Sequence, residues 1–110
     1  MSTLATHRQE LRRGTLVLAC LWACRSPRYG YALLEHLGRA GLEAEANTLY
    51  PLLRRLEGQG LLRAQWSTEQ TRPRKYYSLT EDGAAVASAL GGEWQRLTAS
   101  MAALEEKEAP

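Results

Sequence analysis

Histidine and cysteine are scarce in this chain of 110 residues, two of each. His7 and His36 lie far apart, and no His or Cys group offers the four-ligand spacing of a structural zinc site, so no metal is expected. Cys20 and Cys24 are four residues apart in an apolar segment. That spacing suits a disulfide poorly, and they read as small buried thiols. No run of about 18 apolar residues is present, which excludes an ordinary membrane-spanning helix. The longest apolar segment, Gly14 to Cys24, follows Arg8, Arg12 and Arg13 in the manner of a signal peptide. An amphipathic pattern follows it at once, and no small-residue cleavage site is evident, so a cytoplasmic protein is expected. Ser26, Ser67 and the isolated acids form no nucleophile–base arrangement. Neither an enzyme nor a cofactor is indicated. Internal repeats and low-complexity linkers are also missing.

Net charge is small, +2, but unevenly spread. Residues 1–46 hold six Arg and four Glu, residues 47–80 five Arg, one Lys and two Glu, and residues 81–110 two cations against six acids. The middle third therefore carries +4 and the last −4, which places an anionic partner near the middle.

Hydrophobic periodicity supplies the elements. A first helix is expected near residues 7 to 24, apolar almost all round from Leu16 to Trp22, and so destined for the core or a subunit interface. Pro27 ends it. A second spans Tyr29 to Arg39 with Leu33, Leu34 and Leu37 inward. The third carries Leu49, Leu52, Leu53 and Leu56 on one side and closes at Gly58 and Gly60. Pro51 lacks an N–H and is tolerated best in a first turn, favouring a start near Asn47, with Glu45 the alternative. Asn47 or Thr48 is the expected cap. The period then changes to two. Leu62, Ala64 and Trp66 share one face, Tyr77 and Leu79 another, and "STEQTRPR" lies between, giving a two-stranded hairpin with a basic tip. Thr80 with Glu81 and Asp82 opens a last helix. Its Val86, Leu90, Trp94, Leu97, Met101 and Leu104 recur at four, four, three, four and three residues, a coiled-coil-like seam. Residues 105–110 should be a frayed acidic tail.

Three helices followed by a hairpin make a winged helix-turn-helix. The expected class is mainly α with a small β-hairpin, residues 1–79 forming the winged unit and 80–110 a C-terminal dimerisation helix with its tail. At about 100° per residue, Asn47, Pro51, Arg54 and Gly58 stand opposite the leucines, with Tyr50 and Arg55 at the edges. In such a fold that end of the helix enters the major groove. Arg54 suits guanine, Asn47 suits adenine, and Tyr50 suits a phosphate or a thymine methyl. Thr48 and Arg55 belong to the same surface. Arg72, Arg74 and Lys75 at the hairpin tip supply phosphate attraction. Tyr29 is a further candidate for a phosphate, Tyr31 is assigned to the core, and His36 to the surface.

The segments "GTLVLACL", "YGYALLEHL", "TLYPLLRRLEGQGLL" and "RPRKYYSLTEDG", together with Trp94, resemble the PadR family of transcriptional regulators in order and spacing. Asn47 stands where that family commonly has Gly. The resemblance implies a bacterial homodimeric repressor of a palindromic DNA operator, joined through the first and last helices. Leu18, Trp22, Leu90, Trp94, Leu97, Met101 and Leu104 are the interface candidates. It also implies release by a hydrophobic or aromatic small molecule, with Trp94 either lining the effector site or packing in the seam. Gly91 and Gly92, just before it, suggest a gap beside its ring. The competing readings are a winged-helix protein-interaction module or anti-regulator without DNA binding, and a small-molecule carrier.

Overall fold

The computed structural model describes residues 2–69 and 71–106. In chain order it holds α1 (Thr3–Ala23), β1 (Arg28–Tyr29), α2 (Gly30–Arg39), α3 (Ala46–Gly58), β2 (Leu62–Ser67), β3 (Arg74–Leu79) and α4 (Glu81–Glu105). The mainly helical winged arrangement matches expectation, with three differences of detail. Helix α1 starts four residues earlier, at Thr3, because the Ser2 hydroxyl accepts the Ala5 N–H at 3.0 Å and caps it. The sheet has three strands in the order β1-β3-β2. Arg28 and Tyr29 pair antiparallel with Tyr77 and Tyr76, a strand too short to leave any periodicity in the sequence. Helix α3 begins at Ala46 after Glu45, and neither Asn47 nor Thr48 caps it. The backbone does so, with the Thr48 and Leu49 N–H groups donating to the Glu45 carbonyl at 3.0 and 2.9 Å. Pro51 therefore sits in the second turn. Of the acidic tail, Glu105 is the last helical residue and Glu106 its cap, while residues 107–110 lie outside the described residues.

The core is the meeting point of one stripe from each helix with one face of the sheet. Leu18 and Leu21 of α1, Leu33 and Leu37 of α2, all four inward leucines of α3, Leu62, Tyr77 and Ala87 are buried. Fully burying each leucine stabilises the fold by about 1.5–3 kcal/mol. Cys20 and Cys24 are free thiols within this core. Burial raises them well above the ordinary 9.0, Cys20 to about 12 and Cys24 to about 11, which leaves them protonated and inert.

Two joints fix α3 in this frame. Helix α2 ends with Gly41 at φ 88° and α3 with Gly60 at φ 76°. In each the following N–H reaches back five residues, Leu42 to Leu37 at 2.8 Å and Leu61 to Leu56 at 3.0 Å. The α3 turn then meets the start of α4. The Thr80 hydroxyl donates to the Gly60 carbonyl at 2.6 Å and accepts the Gly83 N–H at 2.9 Å, while the Thr80 N–H donates to the Leu61 carbonyl at 3.2 Å. A side chain at position 83 would run into that Leu61 carbonyl, so glycine is what allows the approach.

The two long helices extend past this body. The radius of gyration is 16.5 Å, against about 13 Å for a compact chain of this length, and the molecule measures 66 × 35 × 22 Å. Beyond Gly92 every described residue of α4 is exposed, as is most of the N-terminal half of α1.

Candidate nucleic-acid interface

The leucine stripe decides which side of α3 is free. With Leu49, Leu52, Leu53 and Leu56 buried, Asn47, Pro51, Arg54 and Gly58 form an exposed crest. Thr48 and Arg55 are exposed on one flank of it. Among the described residues neither Arg54 nor Arg55 has a carboxylate within ion-pair distance, so both guanidinium forks remain available to an acceptor.

The other flank is occupied. Tyr50 was placed at the edge of the reading surface, but it is half-buried and its ring fills the notch left by Gly30, where a side chain would collide with it. Its first task is to seat α3 on the start of α2. Glu57, the penultimate residue of the helix, forms an ion pair with Lys75 Nζ at 3.3 Å. The wing is thereby tied to α3. Partial desolvation pulls the Lys75 pKa down, but the hydrogen bond to Glu57 and the neighbouring Tyr77 and Glu57 together hold it above its ordinary value.

The three basic wing residues are therefore not equivalent. Arg72 is exposed. Arg74 lies over the Tyr29 ring, with its guanidinium carbon 4.2 Å from the centroid, and Tyr29 in turn meets Tyr76 edge-on at 5.5 Å. Tyr29 thus supplies a platform beneath a wing arginine. Lys75 also approaches the Tyr77 ring, at 5.4 Å. Trp66 shares its strand face with buried Leu62 and half-buried Ala64, yet it is 64% exposed, because β2 runs off the body toward the tip. Tyr31, assigned to the core, is 59% exposed, on the outer side of α2. The pairings of Tyr50 with Gly30, Arg74 with Tyr29 and Lys75 with Glu57 went unread in the sequence. All join residues at least 18 positions apart, which no local period reports.

Between α1, α2 and α4 lies a cleft of about 510 Å³. Leu18, Ala19, Leu37 and Leu42 line it with Trp22 and Trp94, and Arg25, Ser26, Arg28 and His36 supply its polar rim. His36 is half-buried there, not a simple surface residue. The Nε atoms of Arg25 and Arg28 donate at 2.9 Å to the carbonyls of Trp22 and Ala23, closing the end of α1. The space at Gly91 is filled by the chain's own Trp22, whose ring would lie 3.1 Å from a side-chain carbon there. Gly91 thus accommodates Trp22, while a side chain at Gly92 would meet only Arg96, at 3.8 Å; the open space beside Trp94 is the cleft itself. Among the described residues no group of acids, histidines and cysteines could hold a metal, and no helix is long and apolar enough to cross a membrane.

This geometry can be set beside known proteins. Residues 17–89 match the model of the transcriptional regulator PadR-like family. The transcriptional regulator Rv3488 of Mycobacterium tuberculosis is 36% identical over 78 residues, covering 70% of this chain and 73% of that protein. The crystal structure of a PadR family transcriptional regulator from Eggerthella lenta superposes with a TM-score of 0.88 at 45% identity, covering 96% of this chain and 94% of the other. A PadR-like transcription factor from Bacteroides fragilis gives 0.72 at 31% identity, with 90% and 98% covered. The matched span runs from the buried half of α1 through α3 and the wing into α4, and its relatives are regulators of transcription, not enzymes: the chain belongs to the transcriptional regulator PadR-like family.

Proposed function

We propose that the protein is a homodimeric repressor that reads a palindromic operator, with α3 in the major groove and the wing along the phosphates. The observation that carries this is the α3 crest. An amide at Asn47 and a guanidinium at Arg54 stand free on a helix whose opposite side is wholly buried and whose far end is tied to a cationic wing. A helix held so rigidly presents its side chains at fixed spacing, which base-edge recognition needs. Thr48, Arg55 and Arg72 sit where phosphate oxygens flank that groove, and Arg74 and Lys75 support them.

The two-fold partner is supported by apolar surface. Trp22, Trp94, Leu97, Met101 and Leu104 are 37–80% exposed, and so are Leu4 and Leu11. Leu18 is already buried in its own chain and Leu90 is half-buried there, so the face left for a partner is narrower than the seam read from the sequence. The test is a gel-shift titration against genomic fragments, followed by Asn47→Ala and Arg54→Ala. Each should cost about 1–3 kcal/mol at the selected operator and little on random duplex. Equal losses on both duplexes would overturn the groove reading. A wild type that shifts no fragment would leave the protein-interaction module in its place.

Release by a flat hydrophobic or aromatic compound is a second reading, supported by the cleft that both Trp22 and Trp94 line. Such a compound relieves repression only by binding one arrangement of the reading helices better than another. Titration of planar aromatic dyes, followed by tryptophan fluorescence, should give weaker binding to Trp94→Ala. Equal affinity in a dimeric variant would make Trp94 a packing residue.

A further inference from the structure

We propose that Arg8, Arg12 and Arg13 of α1 form a second phosphate-binding set, on the flank of α3 opposite the wing. The inference rests on the DNA-reading role just proposed and extends it to residues outside the helix-turn-helix and wing. All three arginines fall within two turns of α1 and are exposed. They line one wall of a groove of about 690 Å³, and the start of α3, through Glu45 and Thr48, lines the other.

Helical geometry places this groove relative to the crest. At about 100° per residue, Tyr50 and Glu57 fall on one side of the Asn47–Arg54 row and Thr48 and Arg55 on the other. The first side is held by Gly30 and by Lys75 of the wing. The second is the side that meets α1, since Thr48 shares the groove with the arginines. A helix seated in a major groove about 12 Å wide has one phosphate strand on each flank. The wing serves one strand, and the α1 arginines are placed for the other.

The charges are also unspent. Glu43 and Glu45 stand in the same groove, yet among the described residues none of the three arginines has a carboxylate within ion-pair distance. Arg8 and Arg12 are four apart, a like-charged spacing that disfavours the helix until an anion neutralises it. The phosphodiester backbone is the anion that the adjoining reading helix brings to this position.

The test measures affinity for a mixed-sequence DNA duplex over a range of salt, by fluorescence anisotropy, with the full chain. Three proteins are compared with wild type: Arg8→Gln, Arg12→Gln and Arg13→Gln combined; the same positions as Lys; and Arg72→Ala as the wing reference. The Gln variant should flatten the slope of log affinity against log salt by about 0.9 for each lost contact, up to about 2.7. The Lys variant should keep the wild-type slope, and light scattering should give one oligomeric state for all. A wild-type slope in the Gln variant, with a flattened one in Arg72→Ala, overturns the inference and leaves the DNA reading standing. A Gln variant that dissociates into single chains with its slope unchanged assigns the groove to a subunit contact and also overturns it. If the wild type itself fails to bind duplex, the DNA reading has failed and the inference falls with it.

Discussion

Leu97→Ala tests how far the apolar face of α4 is an interface. Leu97 is 55% exposed in the single chain. Full burial of a leucine stabilises by about 1.5–3 kcal/mol, so roughly 0.8–1.7 kcal/mol remains to be gained when a partner covers it. Two-fold symmetry counts that twice, giving about 1.6–3.3 kcal/mol, or roughly a 15- to 250-fold rise in the dimer dissociation constant. Because α4 is exposed beyond Gly92, the fold of each subunit should survive the change. Sedimentation velocity over a dilution series gives the constant, and circular dichroism checks that helix content is retained. A constant within threefold of wild type would refute the placement of Leu97 in the seam. A wild type that is monomeric at micromolar concentration would refute the two-fold reading altogether.

The wing supplies a graded prediction: Arg72→Ala should flatten the salt slope by about 0.9, Lys75→Ala by less because Glu57 already pairs with it, and Glu57→Gln should steepen it. Equal slopes for the Arg72 and Lys75 variants would refute the distinction. Gly83→Ala would press a methyl into the Leu61 carbonyl and to within 2.7 Å of Leu79 Cδ1, an overpacking of about 1–3 kcal/mol, whereas Gly14→Ala meets nothing within 4 Å. Calorimetry should show a lower Tm for the first, by about 4–8 °C per kcal/mol, and no loss for the second. The buried thiols make stability fall with alkali. Their folded pKa values lie above the ordinary 9.0, so their contribution is full below about pH 9 and is lost as pH rises through about 11 to 12. Urea unfolding at pH 8 and pH 10 should show a smaller drop in Cys20→Ala, Cys24→Ala than in wild type, and equal drops would refute it.

The leucine stripe of α3 was legible because burial on one face imposes a period that any window of the sequence displays. The same holds for the change of period at Leu62 and for the Thr80 cap. What stayed hidden depends on distant partners. Tyr50 looked free because Gly30, whose missing side chain receives its ring, lies 20 positions away. Gly91 looked like empty space because nothing local announces that Trp22, 69 positions away, packs on it. The wing read as three equal charges because charge counting does not show that Glu57 and Tyr29 engage two of them. The α3 start falls between the two positions expected, Asn47 and Glu45, but its cap was misplaced onto Asn47 or Thr48, since a backbone cap at Glu45 leaves no mark as clear as a serine or aspartate.

The bond from Thr80 to Gly60 gives α4 the mechanics of a crank. Its 25 residues make an arm of about 37 Å, fixed at one end to the last turn of the reading helix. A rotation of about 5° at that pivot sweeps the far end through roughly 3 Å along an arm of this length. Conversely, a displacement of about 3 Å far out on α4 must pass the contacts of Ala87 with the core and of Gly91 with Trp22 before it reaches α3, so those two packing points set how stiffly the arm turns. In the proposed dimer, two such arms crossing along α4 would set the distance between the two α3 helices by their crossing angle, and a compound bound in the cleft beside Trp94 would act on that angle.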